Sequence, residues 1–345
     1  MIIHGVRFES NVIQGAGTGN FFGGPHPYWY YWPLRPLGLR HEGSVFTSKT
    51  ALFPSWKGNM PLRNDGCTPS ELFPKCIVIN RKTRAVVNSV GLSGFGLPFY
   101  LKSGRWQART VPFFISLALQ GASLLRMLGE TRQIVGLLLD EKKNFRTLFG
   151  IQLNWSCPNI GHVRMSRGDE LGLLMAIIGI FAELDVPFML KVGYDFPLEW
   201  MPILENVAAF DGWVAINTLK WDTLPAADRV KYFGSETSPL EARLGPGVKG
   251  GISGAPLLPY ALDYIERMRK AGARKPIIAG GGALSASDAV RLMEAAGGDG
   301  NAVSVASVSM LAPTKMQRTI RELNSRYPAG HGERIGTVRL NVAHT

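Results

Sequence analysis

The residues best able to do chemistry lie together in the segment Asn154-Trp155-Ser156-Cys157-Pro158-Asn159. It places one thiol between two carboxamides. Pro158 disfavours helical geometry at Cys157, so the thiol sits in a turn or extended stretch. A cysteine in such a loop acts as a base when its thiolate is accessible. Each asparagine offers a donor and an acceptor, which suits a ligand with amide edges. A lone cysteine is more often a small buried hydrophobe; the flanking amides favour the chemical reading. His162 follows closely and reads as a loop residue rather than a competing base, and Trp155 reads as packing. Two lysines, Lys49 and Lys191, end other short β-rich runs. So do Asn88 and the pair Asn217-Thr218, whose blander reading is as turn residues. Lys191 has its own bland reading, a strand-end lysine reaching solvent. Glycine pairs at 250–251 and 281–282 are weak signals alone, but successive N–H groups of this kind cradle phosphates.

The elements that must position these residues alternate between short apolar runs and helical stretches. Strands are expected at 43–48, 86–90, 112–117, 150–155, 187–192, 212–217, 276–279 and 302–305. Helices are expected at 121–128, 171–184, 198–208, 256–271 and 285–296. Such alternation implies parallel strands with helical crossovers. The later strands are nearly all apolar, as strands buried on both faces are. Several end abruptly in polar residues or glycine, which is how the active-site face of a (β/α)8 TIM barrel reads. An open doubly wound sheet is the alternative. No GxGxxG opens a first βαβ unit, however, and polar residues end too many strands for one switch point. The expectation is therefore one barrel domain over residues 1–345, with loop insertions near 25–40 and 219–250. Long loops of this kind serve as lids or are surface insertions.

Composition bounds the partners. A chain of 345 residues that is 46% hydrophobic and 19% charged can build a large core. No apolar run reaches the roughly 18 residues of a membrane span, and the N-terminal residues lack a signal-peptide pattern. Three cysteines, Cys67, Cys76 and Cys157, make no disulfide framework in a chain this long. The expected setting is cytoplasmic. The net charge of +12 comes from 38 basic and 26 acidic residues spread without a long run. It fits a solvated surface and an anionic ligand as well as a nucleic acid.

The segment 154–159 resembles the NxSCPN active-site loop of the dihydroorotate dehydrogenases, class 1, in which the cysteine is the base. The likeness runs in family order over about residues 10–320. Gly15-Ala16-Gly17-Thr18 resembles the first-strand segment along the flavin, and Thr47-Ser48-Lys49-Thr50 the TKT/TKS segment whose lysine reaches flavin and substrate. Residues 58–63 resemble the GNPxPR run. Val87-Asn88-Ser89-Val90-Gly91-Leu92 is similar to INSMGL, and Leu190-Lys191-Val192 to the VKL strand. Residues 250–255 resemble the GGxSG phosphate segment. The resemblance implies a (β/α)8 barrel that binds FMN and oxidises dihydroorotate. On it, Cys157 and Lys49 are catalytic. Substrate falls to Asn88, Val90, Gly91, Leu92, Asn154, Asn159, Asn217 and Thr218. The flavin falls to Ala16, Gly17, Lys49, Thr50, Asn88, Asn154, Lys191, Asn217, Ser253, Gly254, Gly281, Gly282, Ala306 and Ser307. A lysine ammonium at Lys191 stabilises negative charge on reduced flavin. A homodimer is implied by the class alone, and the electron acceptor is either fumarate, NAD through a partner subunit, or another oxidant.

The chain departs from the pattern in three places. Ser93-Gly94 stands where the family has asparagine, Ala306 where it has glycine, and Ile160-Gly161-His162 where it has a Pro-Gly run. These departures keep open a related flavoenzyme acting on another dihydropyrimidine or cyclic amide. A tRNA dihydrouridine synthase shares the FMN barrel and a Cys-Pro loop, and the basic charge suits RNA. Against it stand Asn159, the 88–92 segment and the lack of a C-terminal RNA-binding helical domain. A catalytically silent flavin or phosphate binder is disfavoured by Cys157 and Lys49.

Overall fold

Short apolar runs with a two-residue period dominate the chain, and they form seven parallel strands in the computed structural model. It describes residues 1–23, 34, 36–121, 123–155 and 166–329. The strands are β1 (Val12–Gln14), β2 (Phe113–Leu117), β3 (Phe149–Asn154), β4 (Phe188–Val192), β5 (Gly212–Ala215), β6 (Ile277–Gly280) and β7 (Ala302–Val305). They lie side by side in the order β1-β7-β6-β5-β4-β3-β2. An eighth, irregular segment closes the ring. Val45 bridges Ile13 of β1, while Thr47 and Ala51 bridge Phe114 and Leu117 of β2. Backbone bonds from Gln14 N to the Val45 carbonyl (2.8 Å) and from Ser48 N to the Phe114 carbonyl (3.0 Å) seal both seams. The protein is a (β/α)8 barrel.

The two-residue period sorts the strand residues into two cores. Ile13, Val45, Phe114, Met189, Val214, Ile278 and Ala302 pack with one another inside the barrel. Their strand neighbours, such as Leu153, Leu190, Trp213 and Val303, pack outward in the main core. The barrel interior is plugged from below by an N-terminal hairpin, Ile2–Ile3 against Val6–Arg7. Its apolar residues Met1, Ile3, Val6 and Phe8 join the interior cluster. Phe8 stacks on Phe114 at 4.5 Å between centroids. His4 ties the hairpin to the barrel wall through Asp185 (3.0 Å) and Asp211 (3.2 Å).

Helices follow the strands, and serine caps start three of them. Ser123, Ser166 and Ser285 accept hydrogen bonds from the backbone N–H groups of Arg126, Asp169 and Asp288, filling donors the first turn leaves unpaired. The helix expected at 121–128 runs instead over Leu124–Lys142. Gly129 and Gly136 interrupt the sequence signal, but a Cβ at either would meet nothing within 4 Å. The buried stripe Met127, Thr131, Ile134, Val135 and Leu138 carries the helix past both.

Two strand expectations are corrected, the first being 43–48, which is part of the irregular segment that closes the ring and not a regular strand. Residues 85–88 are not a barrel strand. They pair antiparallel with Ile77–Asn80 and Gly251–Gly254 in a separate four-stranded sheet completed by Leu219–Lys220. The true first barrel strand, β1, is only three residues long and lay outside the expected set. The region 219–250 is not a plain loop: it holds helices Ala226–Phe233 and Glu241–Leu244. The expected insertion at 25–40 falls largely outside the described residues. No described helix is long and apolar enough to cross a membrane.

Removing the hairpin's ring should open a cavity in the barrel floor. Phe8→Ala is expected to lower unfolding stability by about 3–5 kcal/mol, read from denaturant unfolding monitored by circular dichroism.

Candidate functional site

The C-terminal strand ends and the antiparallel sheet enclose a cavity of about 250 Å³. Each barrel element contributes at the residue where its strand stops. Ala16 and Gly17 follow β1, Lys49 and Thr50 close the irregular segment, and Asn154 ends β3. Lys191 sits on β4, and Asn217 and Thr218 follow β5. Gly281 and Gly282 follow β6, and Ala306 and Ser307 follow β7. The antiparallel sheet adds Asn88 and Ser253, and the loop after Asn88 adds Val90, Gly91 and Leu92. Of the expected site residues that are described, only Gly254 lies off the wall. Its N–H donates to the Ser307 hydroxyl at 3.2 Å, directly behind it. Cys157 and Asn159 lie outside the described residues.

Lys49 is the most unusual group on this wall. Its Nζ donates to the Ser93 carbonyl at 2.7 Å and lies 5.0 Å from the Phe21 ring centroid. Among the described residues no carboxylate pairs with it. Burial pushes its ammonium down to about 8, with only weak opposition from Cys76 and Cys67. Those two thiols are themselves buried, and burial pushes both up to about 11. They are therefore neutral near pH 7 and leave the lysine charge uncompensated.

The loop that receives Lys49 is braced from below. The Ser93 hydroxyl donates to the Val90 carbonyl and accepts from Met60 N, both at 3.0 Å. Asn59 donates to the Ser89 carbonyl at 2.8 Å. This bracing needs Gly58, because a Cβ there would lie 2.4 Å from the Ser93 oxygen. The loop itself runs through two successive left-handed residues, Gly91 (φ 68°) and Leu92 (φ 57°). A non-glycine residue in that region is uncommon and marks a backbone held by its surroundings.

Across the cavity, Asn217 Nδ2 donates to Asn154 Oδ1 at 2.8 Å, and Asn217 Oδ1 accepts from Thr218 N at 3.0 Å. On this amide assignment the Asn154 NH2 is the group left to donate to a ligand. At the far end, Gly254 and Gly282 pack backbone to backbone. A Cβ on Gly282 would come within 2.5 Å of the Gly254 carbonyl, and one on Gly254 within 2.3 Å of the Arg84 carbonyl. Both have positive φ (78° and 86°), so only glycine fits either position. The result is a lobe walled by bare backbone beside Ser253 and Ser307.

Sequence reasoning missed several wall residues, among them Gln152, Ser304, Met60 and Ile77. The two-residue period was the available signal for the first two, since Gln152 and Ser304 stand two positions before Asn154 and Ala306 on the inner face. No described cluster of three or more His, Cys, Asp or Glu is placed to hold a metal.

This is a (β/α)8 barrel whose ligand site, at the strand C-termini, joins an uncompensated ammonium, paired carboxamides and a backbone-lined lobe. Residues 73–326 match the dihydroorotate dehydrogenase family, and the chain belongs to that family. It is an oxidoreductase of the dihydroorotate dehydrogenase type. It is 24% identical over 349 residues to the dihydroorotate dehydrogenase B (NAD(+)) catalytic subunit of Geobacter metallireducens, covering 98% of this chain and 97% of that one. The same protein of Geotalea daltonii is 25% identical over 346 residues, with the same coverages. Among solved structures, the fold resembles the dihydroorotate dehydrogenase of Eimeria tenella in complex with ferulenol. The TM-score is 0.62 at 18% identity, over 93% of this chain and 82% of that one.

The half-buried ammonium sets a pH signature for the ligand-free protein. The folded state releases the Lys49 proton near pH 8 and the unfolded chain near 10.5. Between those values the unfolded chain holds more protons, so stability rises with pH across that window. Lys49→Met should stabilise the ligand-free protein at pH 7 by on the order of 3 kcal/mol. It should also remove Lys49's contribution to the rise between pH 8 and 10.5, read from urea unfolding at both pH values.

Proposed function

We propose that the protein oxidises dihydroorotate to orotate with FMN as its redox cofactor. The observation that carries the reading is Lys49, a half-buried ammonium with no carboxylate partner among the described residues, facing a wall of carboxamides. An anionic ligand with amide edges complements both. Dihydroorotate is such a ligand: a cyclic ureide bearing a carboxylate. In this reading Lys49 and the backbone N–H groups of 90–92 receive the carboxylate, and Asn88, Asn154, Asn159 and Asn217 receive the ureide edges. A site built on amide hydrogen bonds rejects analogues that lack those groups.

The residues present also suit FMN. The backbone-lined lobe formed by Gly254, Gly281 and Gly282, with Ser253, Ala306 and Ser307, has the donors and the close approach that a phosphate requires. Bound there, FMN supplies a hydride acceptor. Cys157 removes the proton from C5 of the substrate as hydride leaves C6, and Lys191 stabilises the negative charge that develops on the ring system. Ala16, Gly17 and Thr50 line the same cavity and would contact the ring system. The relatives' names supply the acceptor carried forward here, NAD(+) through a partner subunit. A second reading, another cyclic ureide, is favoured by Ser93. Its hydroxyl is engaged by Val90 and Met60 rather than offered to a ligand.

The purified protein is expected to be yellow and to bleach under anaerobic dihydroorotate. Bound flavin that dihydroorotate fails to reduce, while another dihydropyrimidine reduces it, would transfer the assignment to the second reading. Cys157→Ala is expected to slow anaerobic reduction by about 10²–10⁴-fold, the usual contribution of a positioned base. An unchanged rate in stopped-flow would remove Cys157 from this role.

A further inference from the structure

Gln152 is a polar residue on the inner face of the barrel that no part of the reading above uses. It stands two positions before Asn154 on β3, so it projects into the same interior one step deeper. The side chain is only 2% exposed, yet it borders the cavity. It makes no hydrogen bond among the described residues.

Its two register partners make no bond with its side chain. Ser116, its register partner on β2, has its hydroxyl engaged with Thr50 at 2.8 Å. Met189, the partner on β4, is apolar. Its carboxamide borders the cavity, where its donor and acceptor are turned to whatever fills that space. A ligand that brings a matching donor and acceptor would pair with it there.

Depth decides which ligand that is. The carboxylate and ureide groups lie towards the mouth, at Asn88 and the 90–92 loop, and the phosphate lobe lies beyond β6 and β7. On the FMN reading, a flat ring system held between them would lie over the floor that Gln152 borders. The pyrimidine half of an isoalloxazine alternates carbonyls and ring nitrogens, which a carboxamide matches with its own donor and acceptor.

We propose that Gln152 hydrogen-bonds the ring system of bound flavin from the barrel floor and thereby sets its affinity and reduction potential. The proposal rests on the FMN reading above.

The test uses the full-length protein, stripped of cofactor and titrated with FMN. Gln152→Met keeps the volume and removes the amide. It should weaken FMN binding about tenfold, shift the visible bands of the bound flavin and move its midpoint potential. The ligand-free variant should melt close to the wild-type temperature, because the amide faces the cavity rather than a partner in the fold. Gln152→Glu places a carboxylate at the same point and should make the midpoint potential more negative at pH 8, since negative charge disfavours the electron-rich ring.

Wild-type affinity, spectrum and potential in both variants would overturn the Gln152 assignment and leave dihydroorotate oxidation standing. A ligand-free Gln152→Met protein that melts well below wild type would assign the side chain to the fold and also overturn it. A wild-type protein that binds no FMN would sink the FMN reading and this proposal together.

Discussion

A lysine ammonium half-buried in the barrel mouth, with no carboxylate beside it among the described residues, is the constraint around which the site is arranged. Burying such a charge is unfavourable unless other groups compensate. The chain compensates only in part, with one backbone carbonyl and one aromatic face. That carbonyl must be delivered to one place, which accounts for the effort at the 88–93 loop. Gly58 permits the approach, Asn59 and Met60 hold the loop, and Ser93 turns its hydroxyl inward to lock it. The strained backbone at Leu92 belongs to the same arrangement.

The barrel provides the rigidity that makes this possible. Its closure runs through the irregular segment 45–51, which carries Lys49 itself. A regular strand there would fix Lys49 by a full ladder of pairing on both sides. Instead the segment touches β1 and β2 through isolated bridges, and Ser48 and Thr50 add side-chain bonds to β2. The lysine is thus placed by a mixture of backbone and hydroxyl contacts. The antiparallel sheet then folds over the strand ends, bringing Asn88 and Ser253 to a cavity that the barrel alone would leave open.

Much of this was legible in the sequence, and the exceptions share a physical cause. Glycine at 254, 281 and 282 was a weak signal by itself and was assigned through the family resemblance; the close backbone approach that demands it shows only in the fold. Lys49, Lys191 and the asparagines were readable because polar residues ending apolar runs are conspicuous. The run at 86–90 was misassigned because its apolar pattern says that it is a strand and not which strand it pairs with. β1 was passed over because three residues are too few to show a period. Gln152 escaped because one polar residue inside a buried strand looks the same from sequence whether it faces a partner or a cavity. The loop 154–159 carried the strongest signal of all, and the described part of the fold brings Asn154 at its start to the cavity wall, hydrogen-bonded to Asn217.

The hairpin beneath the barrel has an effect on traffic. Met1, Ile3, Val6 and Phe8 fill the lower end, and His4 ties the plug to the wall. Among the described residues, the lower end of the barrel is closed and the cavity lies at the strand ends. Whatever is delivered to the strand ends must arrive, react and depart on the side where the antiparallel sheet stands.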